Sequence, residues 1–468
     1  MVTRRLFMTT AVLTAASVAC IAFAQTDKTA LDRYVAKADP TYKYELVKTI
    51  PGPGYTAYVI DLTSQTWRTA AEVDRTAWKH WLTIVRPDTV SSSTGFVFIG
   101  GGSVKSVAPD KADAYAVEAA MATHSVAAAI SGIPNEPLTF RGETTSRNED
   151  GIIAYTWAKF LKTGDETWPL RLPMTKAVVR AMDTVTAFSA SQGGGGVKVD
   201  KFFMAGASKR GWTTWTTAAV DKRVIGISPV VIDVLNMTKS MDHHFQAYGV
   251  YSEAVQDYTE MGLIDLPDSK EYRALMNIEE PYSYRARYTM PKLVMNSTGD
   301  QYFLPDSSQF YFDDLPGEKY LRYVPNTNHS MAGSDAIQSM VAFYGAVLSG
   351  QPRPKFSWTF EKNGDIRVVA KDKPTEVKLW AATNPEKRDF RLMTIGPAYK
   401  SVPVQEAAGG VYVGHLGNAE KGWTAYFVEL TFPSGGKYPF KFTTAARVTP
   451  DTLEYPAPKH NGKLKDLP

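Results

Sequence analysis

Apolar and β-branched residues recur in short runs along the chain, and the character of what separates the runs changes twice. Residues 55–62 and 78–85 carry the aromatic and β-branched content of strands, and a third run, 95–99, ends in Gly100-Gly101-Gly102-Ser103. From about Ala112 the runs alternate with segments of helical period. A helix to Met121 precedes a short strand over 126–130, helices follow over 149–162 and 172–189, and a glycine run, 193–196, leads into a strand over 201–205. Apolar runs over 224–231, 292–297 and 320–324 continue the series. Strands alternating with helices predict an α/β domain around a mostly parallel sheet, placed here at 30–350.

Within that domain, residues 236–288 are rich in Met, Tyr and His, have helical pattern and contain no strand run. Inserted between two sheet strands, such a segment forms a helical lid over the carboxyl edge of the sheet. After Gly350, Pro352 and Pro354 mark a boundary, and the pattern shifts to short alternating segments such as 355–360 and 425–432, punctuated by turns such as Asn363-Gly364. Residues 354–456 are therefore expected to form a small immunoglobulin-like β-sandwich. The segment before Tyr55 is polar and reads as frayed.

Composition changes this picture little. A chain of 468 residues with 44% hydrophobic and 21% charged residues is of ordinary globular type, and a net charge of +4 gives no reason to expect a nucleic-acid partner. The N-terminus matters more. Arg4-Arg5 precede an apolar run that ends in Ala22-Phe23-Ala24, the pattern of a cleavable export signal over 1–24, with paired arginines like those of the twin-arginine class. The expected location is periplasmic or secreted. Cys20, the sole cysteine, falls inside that leader, so the mature chain has no disulfide to rely on. No later stretch is long and apolar enough to span a bilayer.

The candidate chemistry begins at Gly206-Ala207-Ser208-Lys209-Arg210-Gly211-Trp212, where a strand meets a helix. A sharp corner there pushes one side chain out of the sheet edge, as in the G-x-S-x-G nucleophile elbow, although Arg210 stands where the second glycine is expected and Gly211 follows it. Strand 292–297 leads to Asp300, and strand 320–324 leads to His329. Serine, aspartate and histidine in that order, each just past a strand end, match an α/β-hydrolase triad. A neutral hydroxyl is a poor nucleophile, so His329 would take the Ser208 proton while Asp300 fixes the imidazole. The backbone of Gly101 and Gly102 after the third apolar run, with that of Lys209, is the expected oxyanion hole. Asp233 is a rival acid because it also follows a strand, and Asp306 is another. Trp212 and Tyr302 flank the site as candidate substrate contacts. Adjacent His243 and His244 point to opposite sides in regular structure and lack a third ligand, so neither a metal nor any other cofactor is expected.

These motifs, together with Asp61-Leu62-Thr63-Ser64-Gln65-Thr66-Trp67, Trp78-Lys79-His80-Trp81 and the closing Val448-Thr449-Pro450-Asp451-Thr452-Leu453, resemble the PhoPQ-activated pathogenicity-related family over nearly the whole mature chain. The resemblance implies an exported α/β-hydrolase-like protein linked to virulence and peptide resistance, without fixing a substrate. The elbow is also similar to that of glucuronoyl esterases, where a cation beside the serine helps hold the oxyanion; Lys209 or Arg210 would serve here, and Arg210 is carried as a substrate contact. The expectation is a serine hydrolase acting on a small ester or a peptide through an acyl-enzyme, with an esterase favoured. A peptidase, or a silent binding protein on the same scaffold, is the alternative.

Overall fold

A computed structural model describes residues 28–416, 421–460 and 462; the leader over 1–24 lies outside them. Three antiparallel strands open the sheet: β1 (Lys43–Gly52), β2 (Tyr55–Thr66) and β3 (Ala77–Pro87). Six more follow: β4 (Thr94–Ile99), β5 (Ala127–Ile130), β6 (Lys201–Ala207), β7 (Val224–Val230), β8 (Lys292–Ser297) and β9 (Lys319–Val324). Their order is β1-β2-β3-β5-β4-β6-β7-β8-β9, with β5 through β9 all parallel. The parallel strands are buried on both faces, which is why they read as continuous apolar runs.

Between Ala30 and Gly52 the chain forms a helix and a strand, contrary to the frayed reading of the segment before Tyr55. A helix, Ala30–Ala36, begins with a capping box between Thr29 and Asp32, and β1 pairs with β2 along almost its whole length. Most of β1 is exposed, so no burial pattern marks it in the sequence.

Between β7 and β8 the chain forms the helices Met237–Tyr248, Gln256–Glu260 and Lys270–Glu279 and no strand, so the lid insertion is helical as expected. Among the described residues beyond Gly350 lie nine strands: β10 (Phe356–Phe360), β11 (Ile366–Ala370), β12 (Glu376–Asn384), β13 (Lys400–Pro403), β14 (Glu406–Ala408), β15 (Val411–Gly414), β16 (Trp423–Phe432), β17 (Phe440–Thr443) and β18 (Arg447–Thr449). One antiparallel layer is β10-β11-β15-β14, the other β17-β16-β12-β13, and Ile366, Val368, Val377, Leu379, Val428 and Leu430 belong to the core between them. The second layer does not stop at the sandwich. Thr443 of β17 pairs with Leu321 of β9, so hydrogen bonding runs from the central sheet into the C-terminal strands without a break.

Candidate active site

Ser208 occupies the corner between β6 and the helix Lys209–Val220, with φ 58° and ψ −127°, a conformation that non-glycine residues rarely adopt. The corner is held by the Ser208 N–H donating to Val230 O at 2.8 Å and by Trp212 N–H donating back to Ser208 O at 2.9 Å. Both glycines of the motif are sites of close approach. A Cβ on Gly206 would lie 2.6 Å from Arg210 O, and one on Gly211 would lie 2.9 Å from Val230 O. The second glycine is therefore needed where the helix crosses β7, three residues after the serine, and position 210 is free to carry a side chain.

Asp300 follows β8 and His329 follows β9, and the parallel pairing of those strands brings the two together. Asp300 Oδ2 lies 2.7 Å from His329 Nδ1, and Oδ1 accepts from Tyr302 N–H at 2.8 Å. With Nδ1 committed to the carboxylate, Nε2 presents its lone pair; this atom is buried and has no hydrogen-bond partner among the described residues. The Tyr302 ring packs against the imidazole at 4.3 Å between centroids.

The rival acids are occupied elsewhere. Asp233 receives Tyr311 Oη at 2.5 Å and Tyr323 Oη at 2.8 Å, and complete burial pushes its carboxyl up to about 7. Asp306 binds His243 at 3.1 Å and Arg388 at 2.5 Å; burial opposes its ionisation, but the Arg388 charge and His243 hold it well below the usual range. His244 accepts from Ser252 N–H at 3.0 Å, so the two adjacent histidines serve different contacts. Among the described residues, no group of three or more His, Cys, Asp or Glu is placed to hold a metal ion.

Gly100-Gly101-Gly102 follows β4, whose residue Ile99 is paired with Gly206, so this loop runs beside the elbow. The loop is pinned from behind by Gly100 N–H to Ile130 O at 2.7 Å and by Gly132 N–H to Gly101 O at 3.0 Å. Lys209 opens the elbow helix, where a first-turn N–H has no acceptor within the helix. Its ammonium pairs with Glu149 at 2.8 Å and Asp150 at 3.0 Å. Arg210 departs from the expected substrate contact. It forms a bidentate pair with Glu149 at 2.8 and 2.9 Å, donates from Nε to Ile133 O, and lies against Gly101 closely enough that a Cβ there would collide with the guanidinium. Glu149 is itself strained, with φ 48°, and its backbone N–H donates to Glu136 at 2.5 Å. Burial opposes charge on Glu149, yet Arg210 and Lys209 bring it down to about 2, while burial and the facing Glu149 push Glu136 up to about 7. The sequence places Glu149 only at the start of a helix over 149–162, and nothing in it singles out Glu136.

A cavity of about 70 Å³ opens at Ser208, with Lys209, Trp212 and Tyr302 in its wall. The lid supplies Met237, Met241, Val255, Leu263 and Ile264, and the segment after β7 supplies Ile232 and Val234. Trp212 is fixed by its indole N–H, which donates to Glu279 O at 2.6 Å.

A central parallel sheet with a serine at its elbow, a helical insertion above the carboxyl edge and an Asp-His pair on the next strand ends is the α/β-hydrolase fold. Within that class, the chain belongs to the PhoPQ-activated pathogenicity-related protein family, whose model matches residues 31–391. Autocrine proliferation repressor protein A from Dictyostelium discoideum is 38% identical over 456 residues, 91% of this chain and 92% of that protein. Solved structures of similar fold include an acetyl xylan esterase from Paenibacillus sp. R4, at 14% identity and TM-score 0.48 over 68% of this chain and 92% of that one. Acetyl xylan esterase 1 from Thermoanaerobacterium sp. JW/SL YS485 has 14% identity and TM-score 0.46 over 67% and 92%. An acylaminoacyl peptidase from Pyrococcus horikoshii has 13% identity and TM-score 0.40 over 67% and 50%. Among the described residues no helix is long and apolar enough to cross a membrane.

Proposed function

We propose that this protein is a serine hydrolase that cleaves an ester through an acyl-enzyme, with Ser208, His329 and Asp300 as its triad. The observation that carries the reading is the state of His329: Nδ1 is taken by Asp300, and Nε2 is buried without a hydrogen-bond partner, not bonded to the Ser208 hydroxyl but at the same carboxyl edge of the sheet as the strained Ser208 elbow. Ser208 Oγ attacks the carbonyl carbon as its proton passes to His329 Nε2, and the negative oxygen of the tetrahedral intermediate is held by the backbone N–H groups of Lys209 and the Gly101–Gly102 loop. Collapse expels the alcohol, which takes the proton from Nε2. Water then repeats the sequence on the acyl-serine, with Nε2 as base, and restores the hydroxyl.

Export to the periplasm or beyond belongs to the same reading and rests on the leader pattern of 1–24. The test of the reading is hydrolysis of p-nitrophenyl acetate and butyrate by residues 25–468, beside folded Ser208→Ala, with fluorophosphonate labelling of both. Turnover and labelling that both vanish in the variant are the expected result. A folded wild type that neither turns over nor labels would instead point to a binding protein on a hydrolase scaffold.

A further inference from the structure

The wall of the cavity at Ser208 contains four charged side chains, each within 3.6 Å of an oppositely charged or ionisable group, although Arg171 Nε and Asp242 Oδ1 make no hydrogen bond. Asp150 binds Lys209 at 3.0 Å and accepts from Tyr258 Oη at 3.0 Å. Arg171 lies 3.6 Å from Glu279 and 4.5 Å above the Trp212 ring. Asp242, on the lid helix Met237–Tyr248, is 2.9 Å from His460 of the C-terminal segment. Most of the remaining wall is the apolar surface of Ile232, Val234, Met237, Met241, Val255 and Leu263, all of them buried, beside Thr238, Tyr272 and Tyr302. A charged acyl group entering here would lose its water without gaining a free counter-charge.

Size narrows the class further. At about 70 Å³ the cavity is several times what a single water needs, about 10–15 Å³, so an acetyl group alone does not fill it.

We infer that the lid and the segment after β7 form an acyl-binding site for an uncharged apolar acyl group longer than acetyl, held with its carbonyl at Ser208. This rests on the serine-hydrolase reading and adds to it the side of the ester that the protein recognises. The two walls play different parts: Ile232 and Val234 sit on the sheet side and fix the depth, whereas Met237 and Met241 come from the lid and bring flexible thioethers that fit themselves to the chain.

The test uses the mature chain and p-nitrophenyl esters from acetate through butyrate and hexanoate to octanoate and dodecanoate. Expected is a rise in kcat/KM of roughly fourfold per buried methylene from acetate to butyrate, with an optimum longer than acetate. Met241→Ala should move the optimum to a longer chain and Val234→Phe to a shorter one, with circular dichroism confirming the fold of each. A wild-type series that is flat, or best with acetate, while still dependent on Ser208, overturns the acyl site and leaves the hydrolase reading standing. Absence of Ser208-dependent turnover across the whole series removes both.

Discussion

Asp300 Oδ2 and His329 Nδ1 stand 2.7 Å apart although 29 residues separate them, because β8 and β9 are parallel neighbours whose ends deliver both side chains to one edge. The second acid on that edge, Asp233, meets Tyr311 and Tyr323 instead. Replacing the acid of such a triad leaves the histidine in the wrong tautomer and costs about 10⁴-fold in kcat in the serine protease where it has been worked out. Asp300→Asn is therefore expected to lower kcat on p-nitrophenyl butyrate by about 10³ to 10⁴-fold, whereas Asp233→Asn should stay within about threefold of wild type. Equal losses in the two variants would sink the assignment of Asp300.

Arg210 and Gly101 form a second coupled pair. The guanidinium is fixed by Glu149 and by Ile133 O, so it cannot simply swing aside when a methyl group is placed on Gly101. Gly101→Ala is expected to displace the loop proposed to carry an oxyanion donor, with a fall in kcat of about 10²-fold or more and little change in KM. Arg210→Lys should produce a smaller fall of the same kind, because lysine keeps the charge near Glu149 but cannot make the bidentate pair. If KM rises in both variants while kcat holds, Arg210 contacts substrate after all.

The lid is fastened from the far side by the cluster of His243, Asp306 and Arg388, which joins the helix Met237–Tyr248 to the C-terminal strands. All three are buried, so removing the cation leaves a carboxylate without its main counter-charge. Arg388→Ala should destabilise the protein by about 3 kcal/mol or more, and adding Asp306→Asn should recover part of that loss. Urea unfolding of the single and double variants measures both, and hydrogen exchange should rise first in Met237–Tyr248. Additive losses would mean that the two residues act separately.

The sequence was most legible where burial and chemistry coincide. Apolar runs marked β2 through β9, and Ser208, Asp300 and His329 were each found just past a strand end. The helix Ala336–Ser349 has no counterpart among the segments of helical period named in the sequence. Arg210 was assigned to substrate because its partners, Glu149 and Ile133, come from distant segments whose convergence depends on the tertiary fold. The same holds for the hold on the lid. Nothing local in His243-His244 announces Arg388, which arrives from beyond β12.

Asp233 also yields a prediction about pH. Its carboxyl is raised from an ordinary value near 3.8 to about 7, chiefly because the fully buried site disfavours the charge. The folded state therefore binds the proton more tightly than the unfolded chain does. The resulting stabilisation is complete below about pH 4 and is lost as the pH rises through about 7. Between pH 5 and pH 8 the loss from this group is about 2 to 3 kcal/mol at 1.36 kcal/mol per unit. Glu136, Glu279 and Glu280 are raised to about 7 by burial and contribute in the same direction, so wild type alone cannot isolate Asp233. Asp233→Asn keeps the shape and presents an uncharged group to Tyr311 and Tyr323 at every pH, while the three glutamates continue to titrate. Denaturant unfolding at pH 5 and pH 8 should then show the variant losing less stability than wild type across the interval, by about the amount above. Identical losses in the two proteins would mean that Asp233 is already ionised in the folded state at pH 5, with the two tyrosine hydroxyls sufficient to hold its charge.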